Sequence, residues 1–304
     1  MYDLIIIGGG PAGMTSAVYA ARKKLNALLL SKDLGGQVNT TLGIENYMGY
    51  QFIEGPELIQ KFEEQVKKFP IDVKTEEGII NLSQKGEVFE VKNDNGGTYQ
   101  TKAAIIATGK RPRPLNVPGE EKLRGRGVTY CAICDGPMFA DMKVAIIGGG
   151  NSALEAADDM IKIAKHVYLV SLTPLTGDQV LVDNIKGASN LTMFLEHEVL
   201  EINGENFVEA IKIRDLKSKE EKKFQVVGIF VEIGLIPNSD LAKGIATLNR
   251  LGEIEINCAN EVGVPGLFAA GDVTNIPEKQ IVVAAGEGAK ATLQAHRYLQ
   301  RLGT

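Results

Sequence analysis

Cys131 and Cys134 stand in "GVTYCAICDGPMF" with two residues between them, followed directly by Asp135. That spacing lets both thiols meet within one helical turn and close a small disulfide. A neighbouring positive charge or a helix N-terminus raises the thiolate fraction, and the thiolate is the species that attacks. Exchange with another disulfide then passes through a mixed disulfide. Asp135 is placed to move protons to and from the thiols, or else caps the turn before Gly136-Pro137. A zinc half-site is the rival for the pair, but it needs two further ligands. Cys258 and the three histidines, His166, His197 and His296, lie scattered without ligand spacing. His166 reads as the end of a helix, His197 as ordinary surface, His296 as a packing or interface residue of the last helix, and Cys258 as half-buried.

The elements that position the cysteines are announced by an internal repeat. "LIIIGGGPAGMTSAVYAA" at 4–21 matches "VAIIGGGNSALEAADDMI" at 144–161 with an offset of 140 residues, and the following strands end at Ser31 and Ser171 with the same offset. Each copy is an apolar strand, a glycine turn and an alanine-rich helix, the start of a dinucleotide fold. Gly8 and Gly148 allow the tight turn, and Gly10 and Gly150 let backbone approach a pyrophosphate. Gly13, with Ala153 in the second copy, allows the helix to pack close to its strand. The helix N-terminus then offers N–H groups to phosphate. Two further strand ends, Ala107-Thr108-Gly109 and Gly271-Asp272, sharpen the first site or else simply terminate their strands. An aspartate where N–H groups converge is suited to a ribityl hydroxyl of a flavin. The expected fold is α/β, with two Rossmann-like three-layer domains, the second inserted into the first. Residues 1–112 and 242–304 form one domain and residues 113–241 the other, which carries the cysteines. Two crossings of chain between them permit rigid-body rotation.

Composition sets the remaining bounds. The 304 residues are 44% apolar and 23% charged, as in an ordinary soluble globular protein. The balance of 33 basic and 38 acidic side chains gives −5, without a basic face or stripe for nucleic acid. No apolar run approaches the ~18 residues of a membrane span. No secretory signal is evident, and three cysteines are too few for a secreted scaffold, so a reducing cytoplasmic compartment is expected.

Taken together, these motifs resemble the low-molecular-weight, bacterial-type thioredoxin reductases, and more closely the flavoprotein reductase portion of alkyl hydroperoxide reductase F. The likeness rests on "GGGPAG", "GGQV" at 35–38, "IENY" at 44–47, "ATG", "GVTYC-x-x-CDGP", "IIGGGNSALEAA", "GIFVEIGLIPN" at 228–238, "FAAGDV" and "KQIVVAAGEGAKA" at 279–291. It implies FAD held by Gly8, Gly10, Pro11, Ala12, Gly13, Gly36, Gln37, Asn46, Ala107, Thr108, Gly109, Gly271, Asp272, Lys279, Gln280 and Ile281. It implies that Cys134 receives electrons from the flavin, that Cys131 attacks the partner, and that Asp135 donates the proton. A homodimer and a rotating nucleotide domain are implied as well. The thioredoxin-like N-terminal domain of the alkyl hydroperoxide relatives has no counterpart in these residues, so thioredoxin or a thioredoxin-like protein is the expected acceptor.

The second turn, with Gly148, Gly150, Asn151, Ser152, Ala153 and Ser171, is the expected nicotinamide nucleotide site, but its specificity signals are missing. NADPH-using relatives carry a His-Arg-Arg…Arg pattern after this strand, whereas here the chain reads Ser171-Leu172-Thr173, and no lysine or arginine occurs between Lys165 and Lys186. A 2′-phosphate without a cation forgoes strong charge-assisted bonds, so NADPH is disfavoured. The carboxylate expected near Ser171 of an NADH enzyme is missing too. NADH, held by the serine hydroxyl, and reduced ferredoxin both remain open as donors. Three functional classes share these parts: a disulfide reductase, a flavin-dependent dithiol oxidase using oxygen, and a non-catalytic FAD-bound redox sensor. Rapid reoxidation in air would mark the oxidase. Cysteine variants that alter partner binding without any turnover would mark the sensor.

Overall fold

The computed structural model describes residues 1–41 and 43–303, the Thr40 side chain excepted. The chain opens with β1 (Tyr2–Gly9), α1 (Pro11–Arg22) and β2 (Ala27–Leu34). It continues through α2 (Gly55–Lys67), β3 (Asp72–Lys74), β4 (Ile79–Lys85), β5 (Val88–Asn93), β6 (Thr98–Ile106) and β7 (Lys110–Pro112). A middle run then holds β8 (Val128–Thr129), α3 (Ala132–Asp135), β9 (Lys143–Ile147), α4 (Asn151–Ile163), β10 (His166–Ser171) and α5 (Gln179–Ile185). It is followed by β11 (Leu191–Leu195), β12 (His197–Asn203), β13 (Ala210–Asp215), β14 (Glu221–Gln225), β15 (Gly228–Val231) and β16 (Leu235–Pro237). Last come β17 (Leu267–Ala269) and α6 (Ile281–Leu302).

The first sheet has the order β3-β2-β1-β6-β5-β4, with β17 joining the C-terminal half of β6. Strands from both ends of the chain therefore share one sheet. β1 is parallel to β2 and to β6, with Ile5 opposite Leu28 on one side and Ala104 on the other. Because side chains alternate along a strand, Leu4 and Ile6 face Met14 and Ala17 of α1, Leu58 of α2 and Ala291 of α6. Ile5 and Ile7 face Phe89, Ile254 and Val262 on the opposite side. Burial on both faces explains why β1 reads as an unbroken apolar run.

The second sheet repeats this plan in the order β11-β10-β9-β15-β8, all parallel. Val144 and Ile146 meet Leu154 and Ala157 of α4. Ala145 and Ile147 meet Ile211 and Ile213 of the antiparallel sheet β12-β13-β14. The segments that follow β6 and β15, the ones leading from one large sheet to the other, pair with each other, β7 antiparallel to β16. Thr108 Oγ1 donates to the Asn238 carbonyl at 2.7 Å, and Asn238 Nδ2 returns a bond to the Thr108 carbonyl at 2.8 Å.

Three residues fall elsewhere than their local sequence implies. His166 opens β10 rather than closing a helix, because α4 ends at Ile163. His197 is buried, with Nδ1 2.7 Å from the Leu195 carbonyl and its ring against Phe194. Cys258 is exposed: Asn257 Oδ1 accepts the N–H groups of Ala259 and Glu261, and the resulting turn carries the thiol outward.

α6 closes over α1 through small residues. Ser16 Oγ lies 2.8 Å from the Ala12 carbonyl and 3.0 Å from the Gly288 carbonyl. A Cβ on Gly288 would come within 2.1 Å of the Ala12 carbonyl oxygen. Although alanine is the better helix former, Gly288→Ala should therefore lower stability by about 1–3 kcal/mol. Urea denaturation checks this, and an unchanged or higher midpoint would contradict the packing described.

Candidate active site

The first glycine turn is shaped by close backbone contacts. Gly8 sits at φ +117°, and a Cβ there would lie 2.3 Å from the Ala107 carbonyl oxygen. A Cβ on Gly13 would lie 1.7 Å from the Gly8 carbonyl oxygen. Strand, turn, helix and the end of β6 are thus packed against each other with no room for side chains. Gly9 N–H donates to Ser31 Oγ at 2.8 Å, and the Gly9 carbonyl accepts from Gly35 N–H at 2.8 Å, which folds the Gly35-Gly36-Gln37 segment over the turn. α1 starts with Pro11 in its first turn and has no side-chain cap, so its first N–H groups face outward.

In front of this turn runs a cavity of about 600 Å³, within the range of small-molecule sites. Gly8, Gly10, Pro11, Ala12, Gly36, Gln37, Ala107, Thr108 and Gly109 line it, together with Gly271, Asp272, Lys279, Gln280 and Ile281. Gly13 stands behind, in the helix. Asn46 is outside the lining but steers a residue in it, donating through Nδ2 to Gln280 Oε1 at 3.2 Å. Cys131, Cys134 and Asp135 line the same cavity.

The cysteines are joined as a disulfide, with Cα atoms 5.3 Å apart. Cys131 caps α3, and the Cys134 N–H points at its sulfur from 3.2 Å. The same N–H would stabilise a thiolate on Cys131 once the bond is reduced. Asp135 is buried, and its carboxylate accepts the Thr129 hydroxyl.

A charge cluster closes the far wall. Lys110 Nζ lies 2.5 Å from Glu253 Oε1, with both side chains almost fully buried, and Lys279 Nζ lies 3.2 Å from the same oxygen. Burial alone would raise Glu253, but hydrogen bonds from Lys110 and Asn249, with the charge of Lys279, carry it below its ordinary value. Burial and the like charge of Lys110 lower Lys279. Asp272 is raised by burial against the pull of Lys279 and Lys110. Among the described residues no hydrogen bond reaches its carboxylate.

These features fit FAD. A Cβ on Gly10 would meet nothing within 4 Å, so the turn leaves open space where a pyrophosphate could lie against backbone. The desolvated Asp272 carboxylate lacks donors, which ribityl hydroxyls supply. The cavity joins both to the disulfide.

The second turn is built alike but stands apart from this cavity. Gly148, Gly150, Asn151, Ser152 and Ala153 form the turn and the start of α4, again without a side-chain cap. Ser171 is fully buried, its hydroxyl accepting from Thr173 N–H at 3.4 Å. The segment after it folds back, with Thr176 N–H donating to the Gly149 carbonyl at 2.7 Å and Asp178 bonded to Asn151. Glu232 is the residue that sequence reasoning missed here. It accepts from Ala132 N–H at the start of α3 and from the Ser152 hydroxyl. Its only sequence signal is its place in "GIFVEIGLIPN".

Comparison with known proteins agrees with this geometry. The family described as "Pyridine nucleotide-disulphide oxidoreductase" matches residues 2–288. Enzymes of that family bind FAD and a pyridine nucleotide. The chain is 44% identical to the alkyl hydroperoxide reductase F of Pseudomonas putida, covering 99% of this chain and 58% of that protein. It is 41% identical to an NADH dehydrogenase of Bacillus subtilis, covering 99% of this chain and 59% of that one. The chain thus spans a little under three fifths of these curated relatives. The thioredoxin reductase of Lactococcus lactis in its FR conformation is 32% identical, with 99% and 100% coverage and a TM-score of 0.70. The thioredoxin reductase of Streptococcus pyogenes superposes with a TM-score of 0.93 at 36% identity over 99% of both chains. The likeness thus extends over nearly the whole chain, which belongs to the pyridine nucleotide-disulphide oxidoreductase family and fits its bacterial thioredoxin reductases.

Proposed function

We propose that the chain is a FAD-dependent disulfide reductase that delivers electrons through Cys134 and Cys131 to thioredoxin or a thioredoxin-like protein. The observation that carries this reading is the disulfide in the wall of the same cavity as the first glycine turn. Bound FAD would supply two-electron chemistry between a donor and that disulfide. Residues 1–112 and 242–304 act as the flavin domain, and residues 113–241 as the domain carrying the cysteines.

Breaking the Cys131–Cys134 bond takes two electrons and leaves two sulfurs to share two protons. Asp135, held by Thr129, is positioned to handle one of them. Cys131, with the Cys134 N–H directed at its sulfur, is the better placed thiolate. It attacks the partner disulfide, forms a mixed disulfide and releases a partner thiolate. Cys134 then attacks the Cys131 sulfur, which frees the reduced partner and restores the internal bond. A disulfide facing the cavity is poorly placed to meet a protein, so rotation of the cysteine domain belongs to the reading. The lower TM-score against the FR conformation, at equal coverage, supports two arrangements of the same parts. A homodimer belongs to it as well.

The donor is NADH or a low-potential protein such as ferredoxin, because no cation stands between Lys165 and Lys186 to hold the 2′-phosphate of NADPH. Steady-state reduction of a thioredoxin-like acceptor, with each donor supplied in turn, tests the reading. Cys131→Ser should reduce turnover by roughly two orders of magnitude or more while the flavin is still reduced by its donor. Undiminished turnover in that variant would refute the reading, and fast oxygen consumption driven by small dithiols would replace it with the oxidase.

Gly10→Ala separates a glycine kept for the ligand from one kept for the fold. Its methyl meets no protein atom, so stability of the flavin-free protein should stay within about 0.5 kcal/mol. The flavin content of the purified variant should fall, read from its visible absorbance, and full occupancy would place the pyrophosphate elsewhere.

A further inference from the structure

Glu232 follows β15 and is drawn inward between two helices. Its Oε1 accepts the Ala132 N–H of α3 at 3.2 Å, and its Oε2 accepts the Ser152 hydroxyl in the first turn of α4. A carboxylate is therefore fixed beside the second glycine turn, at the helix end where N–H groups would otherwise face an anion. Asn151, the neighbouring polar side chain, is taken by Asp178, through Nδ2 to Oδ2 at 2.9 Å and Asp178 N–H to Oδ1 at 2.7 Å. The segment from Leu172 to Thr176 adds no cation. A pyrophosphate approaching this turn thus meets two carboxylates and finds the Ser152 hydroxyl already committed.

We propose that Glu232 gates the second glycine turn: its carboxylate holds Ser152 and repels pyrophosphate, so the turn accepts a pyridine dinucleotide only with Glu232 neutral. This rests on the reading that the second turn is the nucleotide site of a disulfide reductase. Burial pushes Glu232 up to about 7, against hydrogen bonds from Ser152 and Ala132, and the charge of Glu155 on α4 pushes the same way. On the α3 side, Asp135 engages Thr129, and the joined cysteines do not titrate. Glu232 is neutral below about 7 and ionised above it, so the dinucleotide binds better in acid and loses affinity as pH rises. A neutral carboxyl also carries an O–H that can be given to a phosphate oxygen.

The test is calorimetric titration of oxidised, flavin-loaded protein with NAD⁺, which has no group titrating between pH 6 and pH 8. Wild-type affinity should be about tenfold weaker at pH 8 than at pH 6. Glu232→Gln should bind equally at both and about tenfold more tightly than wild type at pH 8. Glu155→Gln should move the midpoint to lower pH, and this decides the matter if Glu232→Gln does not fold. Equal wild-type affinity at the two pH values overturns the gate, as does a Glu232→Gln protein no tighter at pH 8. Absence of binding in every protein overturns it too. None of these outcomes touches disulfide exchange, which the cysteine variants test separately.

Discussion

The structure depends on backbone meeting backbone at the first glycine turn. The Gly8 carbonyl lies where a Gly13 side chain would be, the Ala107 carbonyl where a Gly8 side chain would be, and the Ala12 carbonyl where a Gly288 side chain would be. These three approaches bring β1, α1, the end of β6 and α6 to one point. With no side chains between them, the outward-facing N–H groups of α1 become the floor of the cavity. Such packing tolerates little added volume, so the cradle's shape and the fold's stability are one constraint.

The opposite wall is held by charge rather than packing. Lys110, Glu253, Lys279 and Asp272 bring two basic and two acidic side chains into a buried space. Removing one partner of a buried pair strands the other, at a cost of about 3–5 kcal/mol. Glu253 is anchored from both sides, by Lys110 beyond β6 and by Lys279 before α6. The cluster thereby fixes two chain segments that line the cavity, while Asp272 is left to face inward. At the second turn the balance differs: carboxylates gather there without a lysine or arginine from the adjoining loop. One chain thus builds two turns of the same shape in different electrostatic surroundings.

Much of this is legible in the sequence, for a local reason. A strand, a glycine turn and a helix occupy consecutive residues, so both copies of the repeat, the strand ends at Ala107 and Gly271, and the cysteine helix can be read directly. Partners distant in sequence cannot. Lys110 and Glu253 are separated by 143 residues, Ala132 and Glu232 by 100, and Ser152 and Glu232 by 80. No periodicity announces such pairs. His197 defeats a local reading because its burial comes from the chain doubling back, β12 beginning two residues after β11 ends. Cys258 defeats it because the Asn257 side chain closes a turn that carries the thiol outward instead of leaving it half-buried. Ser171 matches Ser31 in register, yet Ser31 lines the first cavity while Ser171 is buried.

One cavity is lined by the first glycine turn and by the Cys131–Cys134 disulfide, and a flavin bound there would exchange electrons with that disulfide. Stepwise anaerobic reduction of the flavin-loaded protein, counting reducing equivalents and free thiols together, tests it most directly. Wild type should take up two electrons more per chain than a Cys131→Ser, Cys134→Ser protein, and its thiols should appear as the flavin is titrated. Equal uptake by the two proteins, with no thiols formed, would contradict it.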